Sequence, residues 1–178
     1  MEQLKGTTIV AVKKNNETVI AGDGQVTLSQ SIIMKNGAVK VRRIFNDKVV
    51  IGFAGSVADA FSLSSRFEEM LNKFSGNLMR SAVELAVQFR RDEIARKLEA
   101  MMIVADKEKL LIISGTGEVI EPDNGICAIG SGGNYAYAAA KALAENTDFS
   151  AEQIAVKAME IASSICVYTN NHFTVEKV

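Results

Sequence analysis

The segments with helical periodicity come in two adjacent pairs, and every strand-like segment falls before, between or after those pairs. One pair spans about Val57–Phe74 and Leu78–Ala100. The other runs from Gly133 to about Glu145 and onward from Ser150 through Ala162. Segments 7–14, 18–21, 39–45 and 48–54 carry strand-like patterns before the first pair. Four more, 101–105, 110–114, 118–120 and 125–129, separate the pairs, and one around Phe173-Thr174-Val175 follows. A doubly wound parallel sheet alternates single helices with single strands, so this order excludes it. It fits a layered α+β fold, with two sheets face to face and a helix pair outside each. Short connections between strands favour antiparallel pairing.

Local signals fix several boundaries. Asn15-Asn16 is a hairpin turn. Gly22-Asp23-Gly24 suggests a tight bend that holds a carboxylate at a strand end. Residues 25–38 are mixed and loop-like. In 39–45, alternation puts Val39, Val41 and Arg43 on one face and Lys40, Arg42 and Ile44 on the other. Asn46-Asp47 turns the chain, and Gly55-Ser56 ends the next strand. Ser56 is the expected N-cap of a helix with Val57, Phe61, Ser64, Phe67, Leu71 and Phe74 on its apolar face. Ser75-Gly76-Asn77 breaks that helix. The second helix puts Ala82, Leu85, Ala86 and Phe89 inside, with Arg90, Arg91, Asp92 and Glu93 outside. Ser150-Ala151-Glu152-Gln153 is a capping box, opening a helix with Ile154, Ala155, Ala158, Ile161 and Ala162 inside.

Composition removes whole classes of function. The 178 residues suit one domain, and 48% apolar with 23% charged residues suit a soluble core-forming chain. A net charge of -1 and the absence of Trp argue against a nucleic-acid surface. No apolar run reaches the roughly 18 residues of a membrane span. Cys127 and Cys166 are far apart in ordinary contexts, which fits a reducing cytoplasm rather than a disulfide framework. His172 is the only histidine, so any Ser-His or Cys-His scheme must use it, and a multi-histidine zinc site is impossible. An exposed structural His172 is the simpler reading. Residues 1–6 are too short and polar for a signal peptide and read as a leader or disordered tail.

The chemistry candidates start at Gly6-Thr7-Thr8-Ile9-Val10-Ala11-Val12. Cleavage after Gly6 would give Thr7 a hydroxyl and a free α-amine, a nucleophile with its own base. The plainer alternative is that Thr7 and Thr8 are ordinary strand residues. Lys40, inside a strand, is either an edge charge or a buried cation that lowers a neighbouring amine's pKa, with Asp23 as a possible counter-charge. Gly130-Ser131-Gly132-Gly133 precedes a helix, but two helices in succession and no βαβ unit argue against a dinucleotide loop. A structural turn, or a loop that lets backbone approach an active centre, fits better.

The order of seven segments is more specific than any one of them. They are Thr7-Thr8-Ile9-Val10, Ala21–Thr27, Lys40-Val41-Arg42-Arg43, Gly52–Phe61, Ile112–Pro122, Ala128–Gly133 and Ile165–Asn170. In this arrangement the chain resembles the β subunits of the proteasome family, in the branch that supplies the peptidase of a bacterial two-component ATP-dependent protease. The resemblance covers nearly everything beyond the leader. The 29–33 segment and the turn at 14–17 depart from it as loop variation.

The resemblance implies the four-layer αββα sandwich of N-terminal nucleophile hydrolases, with 1–6 a removable leader and 7–178 a single domain. It implies Thr7 as nucleophile, Lys40 as the active-site lysine, Asp23 as its carboxylate partner, Ser131 beside the threonine amine, and Gly55 as the oxyanion N–H donor. It implies a sodium ion on the main-chain carbonyls of Ser163, Cys166 and Thr169. Serine replaces the frequent glycine at the first of these but retains the carbonyl. It also implies a homo-dodecamer of two stacked hexameric rings, a hexameric AAA+ unfoldase as partner, protein substrates, a cytoplasmic location and no nucleotide on this chain.

Overall fold

The computed structural model describes residues 4–5, 7–29, 31–91 and 100–178. The amino-terminal half contains β1 (Leu4–Lys5), β2 (Thr8–Lys14), β3 (Glu17–Asp23), β4 (Val26–Leu28), β5 (Ile32–Lys35), β6 (Val41–Ile44) and β7 (Val49–Ala54), then α1 (Val57–Lys73) and α2 (Leu78–Arg91). The second half contains β8 (Met101–Ala105), β9 (Leu110–Ser114), β10 (Val119–Ile120) and β11 (Ile126–Gly130), then α3 (Gly133–Asn146), α4 (Ala151–Ile165) and β12 (Phe173–Lys177). One sheet has the order β11-β2-β3-β12 and another β10-β9-β8-β7-β6, with antiparallel neighbours throughout. A small third sheet, β1-β4-β5, stands apart from both.

Strand parity builds the layers. Along β2, Ile9 and Ala11 enter the core between the two large sheets, while Val10 and Val12 pack on the other side with Ala155, Ala158 and Ala162 of α4. Along β8, Ile103 and Ala105 face the inter-sheet core, and Met102 and Val104 pack with Phe67 and Leu71 of α1 and Phe89 of α2. The central strands are apolar on both faces because each face meets a different core, and each fully buried Ile, Leu or Phe contributes roughly 1.5–3 kcal/mol. The result is helices, sheet, sheet, helices: the αββα order that pairing of the helices implies.

Caps and turns sit where the sequence places them. Asn15 and Asn16 both have positive φ, 53° and 63°, as a two-residue hairpin turn requires. The Ser56 hydroxyl accepts from the Asp59 N–H at 3.1 Å, and the Ser150–Gln153 capping box closes in both directions.

Five expectations need correction. Residues 25–38 contain the β4–β5 hairpin; β5 is exposed along its length, so no buried face marks it in the sequence. Lys40 lies on neither face of a strand, because β6 starts only at Val41. From Val41 the alternation holds, with Val41 toward the inter-sheet core and Ile44 toward the helices. On α1, Phe61 is 51% exposed and the buried face runs through Ala60, Leu63, Phe67 and Leu71. Phe61 instead covers the Arg42 guanidinium, whose carbon lies 4.9 Å from the ring centroid. On α4, Ile161 is exposed and Met159 is buried in its place. Gly22 is not a bend but part of β3; a Cβ there would sit 2.5 Å from Ile9 Cδ1, so its role is close packing under Ile9.

The second helix is described to Arg91, and Ala100 is already outside it; Asp92 and Glu93 lie outside the described residues. Of the leader, Leu4–Lys5 pairs with β4, and residues 1–3 and 6 lie outside the described residues.

Candidate active site

The site forms where the start of β2 meets the end of β3 and the residue before β6. Asp23, 1% exposed, is the last residue of β3. Its Oδ1 accepts the Thr8 N–H at 2.7 Å and the Lys40 ammonium at 3.0 Å. Its Oδ2 accepts the Gln25 N–H at 3.0 Å and the Asn170 N–H at 3.4 Å. The Gln25 bond closes an Asx-turn, the local reason an aspartate stands in the Gly-Asp-Gly segment. Its four donors occupy both carboxylate oxygens, two on each.

Lys40 is 5% exposed and also donates to the Gln25 carbonyl. Burial pushes its pKa below the usual lysine value, with the attraction and hydrogen bond of Asp23 opposing that fall. Its burial against Asp23 excludes the reading of Lys40 as an exposed edge charge.

Thr7 is 7% exposed, immediately before β2. Its carbonyl accepts the Ser131 N–H at 2.8 Å. Gly130, with φ +90°, lies so close that a Cβ on it would meet the Thr7 carbonyl and stand 3.2 Å from Ala54 Cβ. The end of β7 at Ala54 therefore borders the same point. Gly55 has φ +133° and is exposed in the turn leading to α1. Ser131 is exposed, and its backbone rather than its hydroxyl holds Thr7. The N–H groups of Ser131 and Gly132 bind Thr7 and Thr8, so this glycine loop approaches the centre through its backbone. Gly6 lies outside the described residues.

Ser163 is in the last turn of α4, and Cys166 caps it. The Ser163 hydroxyl donates to the Glu160 carbonyl, which leaves the Ser163 main-chain oxygen as its contribution to any ligand. The Cys166 carbonyl accepts the Thr169 N–H at 3.1 Å. Carbonyls at the C-terminus of α4 lack intrahelical donors and carry the negative end of the dipole, whereas Thr169 lies three residues beyond Cys166. Among the described residues no group of three or more His, Cys, Asp or Glu side chains gathers as a metal site. Both cysteines are buried and unpaired, and burial pushes the Cys127 thiol up to about 12. His172 is exposed just before β12.

Three sets of contacts escaped the sequence reading. Thr8 and Thr169 join their hydroxyls at 2.6 Å across 161 positions. Gln25 supplies the carbonyl under Lys40, and its side-chain amide donates to Thr27 Oγ1 and the Val167 carbonyl. Asn170 accepts the Gly24 N–H at 3.1 Å and donates to the Asn36 carbonyl. Only the adjacency of Gln25 to Gly-Asp-Gly and of Asn170 to Thr169 hinted at these.

The antiparallel αββα sandwich is the proteasome type of fold, and it holds a buried Lys40–Asp23 pair beside the first residue of β2. The proteasome subunit family matches residues 4–178, and the chain belongs to it. Within that family it falls among the HslV protease subunits. It is 62% identical over 172 residues to the ATP-dependent protease subunit HslV of Caldanaerobacter subterraneus subsp. tengcongensis, covering 97% of this chain and 98% of that one. It is 60% identical over 178 residues to the HslV of Listeria innocua, covering 99% of each. The crystal structure of eukaryotic HslV from Trypanosoma brucei superposes with a TM-score of 0.91 at 50% identity, covering 96% of this chain and 98% of that one. Among the described residues no helix is long and apolar enough to cross a membrane.

Proposed function

We propose that this chain is the threonine-type endopeptidase subunit of a two-component ATP-dependent protease that degrades unfolded cytosolic proteins. The observation that carries the reading is the buried Asp23–Lys40 pair, tied by one carboxylate oxygen to the peptide N–H that follows Thr7. After the Gly6–Thr7 bond is cut, Thr7 Oγ1 attacks the substrate carbonyl. Its proton passes to the Thr7 α-amine through a water, because direct transfer within one residue has poor geometry. A free α-amine titrates near 7.7–8.0, and the Lys40 cation lowers that value and favours the basic form. Asp23 orients Lys40 and keeps it charged, and Ser131 borders the amine. The Gly55 N–H stabilises the oxyanion, a contribution of about 3 kcal/mol in comparable sites. The adduct collapses with cleavage of the peptide C–N bond, the α-amine passes its proton to the departing amine, and a water that gives its proton to the freed α-amine hydrolyses the threonine ester and releases the acid.

The main-chain carbonyls of Ser163, Cys166 and Thr169 would hold a sodium ion, which supplies charge that orders the turn after α4. Two stacked hexameric rings would enclose the sites, with the hexameric AAA+ unfoldase HslU feeding unfolded chains to them. The test is the intact mass of the purified protein together with the Thr7→Ala variant. The mature mass should lack residues 1–6, and Thr7→Ala should abolish peptide hydrolysis; retained hydrolysis in that variant would overturn the proposal.

A further inference from the structure

Thr8 is the second residue of the proposed mature chain and is fully buried, yet its side chain is polar. Its hydroxyl accepts the Gly132 N–H at 2.9 Å and lies 2.6 Å from the Thr169 hydroxyl. Its own N–H goes to Asp23. These bonds tie one residue to three distant parts of the chain: the end of β3, the loop before α3, and the turn between α4 and β12.

Gly132 has an ordinary φ of -93°, so conformation does not demand glycine there. Space does. A Cβ on Gly132 would collide with Thr8 Oγ1 and stand 2.7 Å from Thr169 Oγ1. The loop comes close because two hydroxyls must be reached by its backbone.

Cleavage before Thr7 would leave that residue with one peptide bond, to Thr8, and with the Ser131 N–H on its carbonyl. A chain end is covalently attached on one side only, so its orientation is sensitive to how rigidly the next residue is anchored. We propose that the Thr8 and Thr169 hydroxyls form a buried clamp that positions Thr7 for attack, which makes Thr8 and Thr169 positioning residues. The inference rests on Thr7 as nucleophile. Positioning errors of about 1 Å can cost about 10²-fold in rate, so the clamp bears on turnover more than on substrate affinity.

The test uses assembled particles whose intact mass shows Thr7 at the N-terminus, produced where necessary from a gene encoding Met followed by Thr7. Peptide hydrolysis by wild type, Thr8→Val, Thr8→Ser, Thr169→Val and Thr8→Val/Thr169→Val is resolved into kcat and KM. Valine keeps the shape and loses the hydroxyl; serine keeps the hydroxyl. We expect Thr8→Val to lower kcat by about 10–10²-fold with KM nearly unchanged. Thr8→Ser should recover to within about 3-fold of wild type. The double variant should lose no more than the worse single variant, as residues acting as a unit do. Unchanged kcat in Thr8→Val, or independent multiplicative losses in the double variant, overturns the clamp. Thr7→Ala run in parallel separates the two ideas: activity there refutes the nucleophile, whereas an inactive Thr7→Ala beside a fully active Thr8→Val refutes the clamp alone.

Discussion

Replacing Asp23 by Asn changes one atom and should cost far more than a surface substitution of the same kind. Each carboxylate oxygen accepts two donors: Thr8 N–H and Lys40 on Oδ1, Gln25 N–H and Asn170 N–H on Oδ2. A carboxamide has one acceptor oxygen and one NH2 group. With the amide nitrogen at the Oδ2 position, the Gln25 and Asn170 N–H groups face a donor. With the amide reversed, Thr8 and Lys40 do. Either way two donors lose their partner in a site that is 1% exposed. A stranded buried donor costs about 1–3 kcal/mol, and Lys40 also loses its counter-charge, so the sum is about 3–5 kcal/mol. For a domain of this size each kcal/mol moves the melting temperature by about 2–4 °C, giving an expected drop of about 6–20 °C. Thermal melts followed by circular dichroism at one protomer concentration measure it. The matched control is Glu121→Gln, which weakens the exposed Lys109–Glu121 pair and should cost under about 1 kcal/mol. A melting temperature for Asp23→Asn within 2 °C of wild type, a margin set by the roughly 2–4 °C per kcal/mol above, would refute the two-donor argument.

Lys40→Met should separate stability from activity. Burial already disfavours the Lys40 charge, and without it Asp23 keeps three backbone N–H donors, so melting should stay within about 4 °C of wild type while hydrolysis falls at least about 10²-fold. A melting loss equal to that of Asp23→Asn would contradict this. The pH profile of kcat/KM should rise on an acid limb below the usual α-amine value of about 7.7–8.0, as Thr7 loses its proton. It should fall on an alkaline limb below 10.5, because Lys40 deprotonates below its ordinary value. Over that alkaline window the unfolded chain holds the Lys40 proton and the folded chain does not, so Lys40 contributes increasing stability as pH rises. An alkaline limb at or above 10.5 would contradict a lowered Lys40 value.

The layers were readable because strand parity and helix periodicity are local signals. Ile9 and Val10 announce two faces without any knowledge of what covers them. The β4–β5 hairpin was not readable, because Ile32, Ile33 and Met34 are all more than half exposed and carry no alternation. Phe61 misled for a related reason: helical spacing places an aromatic on a face but cannot see Arg42 arriving from β6 to occupy its ring. Within the site, Asp23 was visible through its flanking glycines. The Thr8–Thr169 contact was not, since no local pattern links hydroxyls 161 positions apart.

Among the described residues, ten polar or charged residues are buried. Seven of them, Thr7, Thr8, Asp23, Gln25, Thr27, Lys40 and Thr169, gather at the start of β2, where hydrogen bonds of Thr8, Asp23 and Gln25 knit the cluster together. A fold seeking stability alone would not concentrate burial costs in this way, because well-packed apolar residues of similar volume often serve as well as a buried ion pair. The inter-sheet core cluster around it is built from Ile, Val, Ala and Leu with one cysteine, Cys127. The polar cluster is therefore the place where local consistency yields to another requirement, which is where function is expected. Its geometry says which requirement. A carboxylate saturated by three backbone N–H groups and one ammonium is rigid, and it fixes both the cation and the peptide beside Thr7 in one arrangement. Such rigidity does little for a threonine inside a continuous strand, which the ladder of β2 with β3 and β11 already holds. It matters for a threonine that has become a chain end, and so the buried cluster and the proposed cleavage before Thr7 stand or fall together.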